Sequence, residues 1–311
     1  MPQVDIYDVI IVGAGPAGLT AGIYCGRAGL NAIVLEGGSS GGNITNTELV
    51  ENFPGFPDGI PGPELSGNLM MQTLKYGVRI EYRPVIGIAV NNALKIVKTT
   101  KDAWRAKTVI IAGGCRWKRL GVKGEEEIIK KKIFFCAMCD GHRFSGQPVA
   151  VIGGGDGGVS EALYMSKVAS KVTVVEVLPN LTATSILVRR LQENPKASVM
   201  CSTKVEGFSK EEDEMVRVEI EELAGHKRSN LRVAGVFLNV GLEPQSEYLR
   251  EVLALDEGGF IQVTNNMETS VPGIFAAGDI RSGSARQAIT AAGDGATAAV
   301  SAQRFLASNQ G

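Results

Sequence analysis

Cys136-Ala137-Met138-Cys139-Asp140 is the segment whose residue types and spacing carry the most chemistry. Two cysteines with two residues between them can close a small disulfide ring and open it again, so the pair accepts and delivers two electrons. Only the thiolate attacks a disulfide, so such a pair needs a depressed thiol pKa or a base close by. Asp140 is adjacent to Cys139 and can serve as that base if it is partly buried and its pKa is raised. The same spacing is also half of a zinc site. The other half is missing, because His142 and His226 are the only histidines and there is no second Cys-x-x-Cys. His142, three residues past Cys139, reads either as an aid to proton transfer or as a polar loop residue. Cys25, Cys115 and Cys201 read as small core residues.

Two similar stretches flank this segment and must position it. The first is the apolar run Tyr7–Val12, then Gly13-Ala14-Gly15-Pro16-Ala17-Gly18, a helix-like stretch to Leu30, and Ala32–Leu35 ending at Glu36. The second is Pro148–Ile152, then Gly153-Gly154-Gly155-Asp156-Gly157-Gly158, a helix-like stretch to about Ser170, and Val172–Val175 ending at Glu176. Positions 13 to 36 and 153 to 176 are separated by the same 23 residues. Each reads as a strand–helix–strand unit of the dinucleotide-binding type. The first glycine permits a tight turn, the second lets a pyrophosphate approach the backbone, and the third lets helix and strand pack closely. Unpaired N–H groups at the helix start then favour an anion, and the acidic residue can accept hydrogen bonds from a ribose.

Thr108–Gly114 and Gly235–Gly241 are a second matched pair, buried-strand patterns that end in glycine. After Glu243-Pro244 the chain runs through Gly258-Gly259-Phe260 to Val271–Asp279, a segment without a counterpart in the second copy. The economical arrangement is an α/β protein of two Rossmann-like, three-layer dinucleotide-binding domains, the second inserted into the first. Residues 1–116 and 246–311 form one domain and residues 117–245 the other.

Composition excludes several classes. Lys and Arg number 32 against 33 Asp and Glu, a formal net charge of -1, which gives no electrostatic case for nucleic acid or an anionic membrane as partner. No apolar run approaches the ~20 residues of a membrane span. Met1–Val12 is interrupted by Asp5 and Asp8 and does not read as a signal peptide. Five scattered cysteines do not make a secreted disulfide framework, so a cytoplasmic chain is expected. Glycine, 39 of 311 residues, is well above the typical ~7%, as close phosphate approach and positive-φ turns require.

Taken together, these residues resemble the low-molecular-weight thioredoxin reductases, which belong to the flavoproteins with two dinucleotide-binding domains. The resemblance is carried by Gly13–Gly18, Gly41-Gly42-Asn43, Val50–Gly55, Cys136–Asp140, Ala276-Ala277-Gly278-Asp279 and Arg286-Gln287-Ala288, in that order along nearly the whole chain. It implies a discontinuous FAD domain made of the two chain ends. Gly13, Gly15, Pro16, Ala17, Gly18 and Ala112 would lie at the dinucleotide, and Glu36 at the adenosine ribose. Gly41, Gly42, Asn43 and Asn52 would line the flavin, with Gly278 and Asp279 at the ribityl-pyrophosphate and Arg286, Gln287 and Ala288 at the isoalloxazine. It also implies that Cys139 faces the flavin, that Cys136 attacks the disulfide of thioredoxin, and that Asp140 handles the thiol proton. Family members are usually homodimers, and their inserted domain rotates on links that here fall near Arg116 and Pro244.

The chain departs from the family at its reductant. NADPH-using members follow the second strand of the inserted domain with a His-Arg-Arg cluster and a further Arg, which grip the 2′-phosphate. Here Glu176-Val177-Leu178 and Thr182 occupy those places, and no basic side chain stands from Glu176 to Val188. That argues against NADPH. Three readings of the second site stay open. Gly153, Gly155, Gly158 and Glu176 could bind NADH, with Glu176 on the free ribose hydroxyl. The flavin could instead be reduced by a non-nicotinamide donor such as a ferredoxin, or Glu176 could be a strand-end carboxylate without a ligand. Leu242 and Gln245, in place of a usual His and Asn, weaken the nicotinamide case again. Ala112-Gly113-Gly114, in place of the usual Ala-Thr-Gly, is expected to leave FAD binding intact. The alternative chemistry is a dithiol oxidase that runs the relay backwards to O2.

Overall fold

The computed structural model describes residues 6–91, 94–129, 131–212 and 214–308. The chain divides into two units, Met1–Arg116 with Glu243–Gly311, and Trp117–Leu242. At the crossings Cys115–Trp117 pairs with Leu242–Pro244 as a two-stranded ribbon.

The first unit is built on a seven-stranded sheet. Ile6–Val12 is fully apolar from Val9 onward and runs parallel to both Ala32–Glu36 and Ala103–Ile111, with Val12 level with Leu35 and Ile111. Arg79–Tyr82 adds beyond Ala32–Glu36, and Ile274–Ala276 pairs with Ala103–Ile111. Leu94–Thr99 and Val85–Asn91 extend that edge as an antiparallel meander. Central parallel strands must be covered on both faces. One face carries Val9, Ile11, Val34 and Ile110 against the helices Pro16–Arg27 and Ala288–Ser308, and the other carries Ile10, Ile33, Val109 and Ile111 against the meander and Leu249–Ile261.

The second unit repeats the scheme. Its five parallel strands run in the order Ala197–Met200, Lys171–Val175, Pro148–Ile152, Gly235–Leu238, Ile133–Phe134. The antiparallel strands Thr203–Lys210, Val216–Glu222 and Lys227–Val233 cover one face, and the helix Asp156–Val168 covers the other. Both units are therefore three-layer α/β folds, as the periodicity anticipates. The fingerprint helices stop at Arg27 and Val168, short of the expected ends at Leu30 and Ser170. Among the described residues no helix is long and apolar enough to cross a membrane.

Candidate functional site

Cys136 and Cys139 are joined as a disulfide, with Cα atoms 5.4 Å apart. Cys136 caps the one-turn helix Ala137–Asp140, and its Sγ accepts the N–H of Cys139 at 3.1 Å. Cys136 is 7% exposed, whereas Cys139 lies open on its unit. Asp140 is half-buried and meets Arg143 at 3.6 Å, and the Arg143 guanidinium rests 4.7 Å above the Phe134 ring. Phe134, Phe144 and Phe237 pack edge-on beneath the turn. A side chain at Gly141 would meet the Met165 sulfur at 2.6 Å, so the turn sits directly on the helix Asp156–Val168. His142 is exposed on the next turn. No cluster of metal-ligating residues occurs among the described residues. Cys25 and Cys115 are buried, and burial pushes both thiols up to about 12, which leaves them inert. Cys201 departs from the core expectation: it lies just past a strand end and is half-exposed, because strand Ala197–Met200 is the sheet edge.

In the first glycine-rich loop Gly13 has φ +104°, and a Cβ there would strike the Ala112 carbonyl; one on Gly18 would strike the Gly13 carbonyl. Pro16 opens the helix, and its missing N–H costs nothing at that position. Gly15 would accept a Cβ without a clash, its nearest neighbour being the Gly42 Cα at 3.9 Å, and so would Gly155 in the second loop, with Thr182 Oγ1 at 3.6 Å. Glu36 accepts from Ala14 N at 2.6 Å and Gly38 N at 2.7 Å, and Gly41 N donates to Ala14 O at 2.7 Å. The fold gathers further residues that the resemblance singles out. Asn52 Nδ2 donates to Gln287 Oε1 at 3.0 Å across 235 positions, Asn43 Nδ2 donates to Cys115 O at 3.1 Å, and Gly278 lies against Ala17. Asp279 is pushed up by burial, against the pull of Ser284 and Arg286. Arg286 has φ +55° and sets its guanidinium 5.0 Å above Phe260, just before Ala288 begins the last helix.

The second loop has the same backbone. Gly153 has φ +113°, a Cβ on it would strike the Asn239 carbonyl, and one on Gly158 would strike the Gly153 carbonyl. Its surroundings differ. Glu176 is 7% exposed, with one oxygen taking Gly154 N at 2.5 Å and the other Leu178 N at 2.8 Å. Thr182 N and Ala183 N donate to Gly154 O at 2.9 and 3.1 Å, which lays Leu181 across Gly154. Asp156 stands in the first turn of the helix and accepts Thr184 N at 2.6 Å. Val177 and Leu178 project outward, about half exposed.

The family model for pyridine nucleotide-disulphide oxidoreductases matches residues 7–295. The thioredoxin reductase of Bacillus subtilis is 40% identical over 306 residues, 98% of this chain and 96% of that protein. Solved thioredoxin reductases from Lactococcus lactis and T. acidophilum superpose with TM-scores of 0.94 and 0.92 at 36% and 34% identity. Each alignment covers 97% of this chain, with 99% and 98% of the other. The chain belongs to this family, with the thioredoxin reductases. It is an oxidoreductase of the thioredoxin-disulfide reductase type.

Two elements of this family member escape sequence reasoning. Glu161, in the second fingerprint helix, accepts the N–H of Ala137 at 3.0 Å, between the two cysteines. Its signal is an acidic residue among Gly158, Ala162 and Met165, the buried face of that helix. Asp294 takes Arg281 bidentately at 2.6 and 2.9 Å and also holds Gly278 N at 3.1 Å. Its signal is a carboxylate inside the Ala- and Gly-rich face of the last helix.

Proposed function

We propose that the protein is an FAD-dependent disulfide oxidoreductase that reduces thioredoxin, or a thioredoxin-like protein, through Cys136 and Cys139, with a donor other than NADPH. The observation that carries the reading is the Cys136–Cys139 disulfide on a capped turn in a chain so similar, end to end, to thioredoxin reductases. The first glycine-rich loop fits FAD: Gly13 and Gly18 leave no room for a Cβ, Gly15 leaves the helix start open, and the loop carries no carboxylate. Gly13–Gly18 and Ala112 would hold the pyrophosphate side, Glu36 the ribose, and Asp279 the ribityl side. Gly41, Gly42, Asn43, Asn52, Arg286, Gln287 and Ala288 would enclose the ring. FAD supplies a two-electron store that communicates between donor and disulfide.

The chain's own residues do the rest. Opening the disulfide takes two electrons and leaves a thiol and a thiolate. The Cys139 N–H, already on Cys136 Sγ, stabilises charge on that sulfur and favours Cys136 as the attacking thiolate. Its attack on the substrate disulfide forms a mixed disulfide and expels one thiolate, which takes a proton from solvent, while Asp140 serves as the base that draws the proton from Cys139. Cys139 then attacks Cys136 Sγ, re-forming the ring and releasing the second substrate thiolate. Because Cys136 is buried in the oxidised turn, the turn must yield to admit the partner.

The second loop supports a non-nicotinamide donor, such as a reduced ferredoxin. Asp156 sets a carboxylate at the helix start where a pyrophosphate would sit, and Glu176, which makes the same two backbone hydrogen bonds as Glu36, is buried. The 23-residue spacing from Gly153 to Glu176 favours NADH as the second reading. Anaerobic titration with NADPH, NADH and reduced ferredoxin, followed by flavin absorbance, tests the donor. Bleaching is expected with ferredoxin, and bleaching by micromolar NADPH would refute the reading.

A further inference from the structure

The helix that begins at the second loop runs directly beneath the redox turn. Two turns in, Glu161 reaches the N–H of Ala137, the residue that follows Cys136. Met165, one turn further, packs against Gly141. The fingerprint helix thus has a task that needs no nucleotide: it supports the turn that carries both cysteines. In the first copy the equivalent of Glu161, 140 residues earlier (161 − 140 = 21, the offset of Gly153 from Gly13), is Ala21, fully buried. A carboxyl on that face is a costly choice unless something uses it.

The groups around this carboxyl are few. On the redox turn stand the two sulfurs and Asp140, whose charge opposes that of Glu161; Arg143 on the following turn meets Asp140, and His142 beside it is exposed. From the end of strand Gly235–Leu238 the Asn239 amide nitrogen is buried toward Glu161 and favours its charged form, short of a well-formed hydrogen bond. Burial is the largest influence and pushes Glu161 up to about 8, against the pull of the Ala137 N–H and Asn239 and with some help from Asp140. This is the state with the disulfide closed. A thiolate on the same turn adds a second negative charge facing the carboxyl and raises its proton affinity further.

We propose that Glu161 is the positioning residue of the dithiol: it anchors the turn through the Ala137 N–H and takes up a proton when the disulfide is reduced, so that no ionised carboxylate opposes the thiolate from below. The donor's two electrons break the S–S bond and two protons come from solvent: one makes a thiol of one sulfur while the other stays a thiolate, and the second binds the Glu161 carboxylate. Reoxidation by the substrate disulfide returns that proton. The sign sets the window. Well below pH 8 Glu161 already holds its proton and nothing is taken up; uptake accompanies reduction from about pH 8 up to the higher pKa of the reduced state, and ceases above it.

The inference rests on the redox role given above to Cys136 and Cys139, but its test needs neither thioredoxin nor the physiological donor. The full-length holoprotein is reduced with dithiothreitol, and the rate of Cys136 alkylation by iodoacetamide is followed from pH 6 to 10 by peptide mass. The unmodified protein should give a broadened profile, as coupled titrations do. Glu161→Gln keeps an acceptor for Ala137 N–H but has no titrating proton; it should steepen the profile to a single step, with alkylation about 3–10-fold faster above pH 8. Glu161→Ala should in addition lower the melting temperature, because the Ala137 N–H loses its partner. A Glu161→Gln profile that superposes on the unmodified one would overturn the proposal, as would a Glu161→Ala melting temperature no lower than that of Glu161→Gln. If the Gln variant does not fold, the reduced-minus-oxidised infrared difference of the unmodified protein at pH 8 decides. A gain in the protonated-carboxyl band, absent at pH 6, supports the proposal; no gain overturns it. Failure to turn over thioredoxin would leave these readouts intact, so the two readings fail separately.

Discussion

The two glycine-rich loops share a backbone and differ in what lies on top of them. Both put their first glycine near φ +110°, both pack that glycine on a carbonyl at the end of a neighbouring strand, and both tie a strand-end glutamate to the loop. At the first, Gly15 and the helix start stay open and Pro16 brings no charge. At the second, Asp156 supplies the helix start with the protein's own anion, and Leu181, held by two hydrogen bonds from Thr182 and Ala183 to Gly154 O, covers Gly154, the counterpart of the buried Ala14. A fingerprint is thus a way to turn a chain from strand to helix before it is a way to hold a nucleotide. Both loops show the first property, and the helix of the second carries Glu161.

The sharpest break in the comparison comes at the residues that only one unit has. Cys136→Ser should lower turnover of a thioredoxin disulfide by at least ~10³-fold, as loss of a nucleophile does, with flavin content unchanged. Steady-state rates and the visible spectrum read both. Residual turnover near the unmodified rate would remove the dithiol from the mechanism.

Filling each loop comes next. Gly15→Leu should weaken FAD retention by ~100-fold, equivalent to about 3 kcal/mol, and give a colourless protein. Gly155→Leu should leave flavin content and donor kinetics unaltered. Equal loss of donor kinetics in the second variant would mean that its loop does hold a nucleotide.

The paired glutamates should separate more gently. Glu176→Ala orphans the buried N–H groups of Gly154 and Leu178, about 1–3 kcal/mol each, and should appear as a lower denaturation midpoint without a change in donor KM. Glu36→Ala should instead show as slower flavin rebinding to the stripped protein. The smallest effect is expected for Asp156→Asn. Removing a helix-start carboxylate is worth about 0.3–1 kcal/mol, so nicotinamide binding by equilibrium titration should tighten by no more than ~5-fold. A larger gain would identify Asp156 as the main obstacle.

The parts of this design legible in the sequence are those with short-range causes. Strand, glycine turn, helix and terminal glutamate fall within one local span, so spacing alone exposes both units and their layers. The Cys136–Asp140 turn is equally local. Glu161 is not, because its partner Ala137 lies 24 residues earlier and only the packing of helix on turn joins them. Asp294 and Arg281 are likewise separated by loop and helix, and neither has a neighbour in sequence that betrays the pairing. Sequence reasoning leaves Glu176 open between a ribose ligand and a strand-end carboxylate without one. Its burial depends on the chain after Leu178 folding back over Gly154, and no periodicity encodes that return.

By itself, the amino-acid sequence determined two dinucleotide-type folds, a redox-competent cysteine pair between their fingerprints, and a stretch from Glu176 to Val188 without a basic side chain. Those follow from residue type and local spacing. Only the tertiary structure decided that Glu176 is buried, that Cys136 is the buried cysteine and Cys139 the exposed one, and that a carboxyl stands under the turn. Each of these depends on which distant side chains share a few ångströms, and burial and charge act over that distance whatever the separation along the chain.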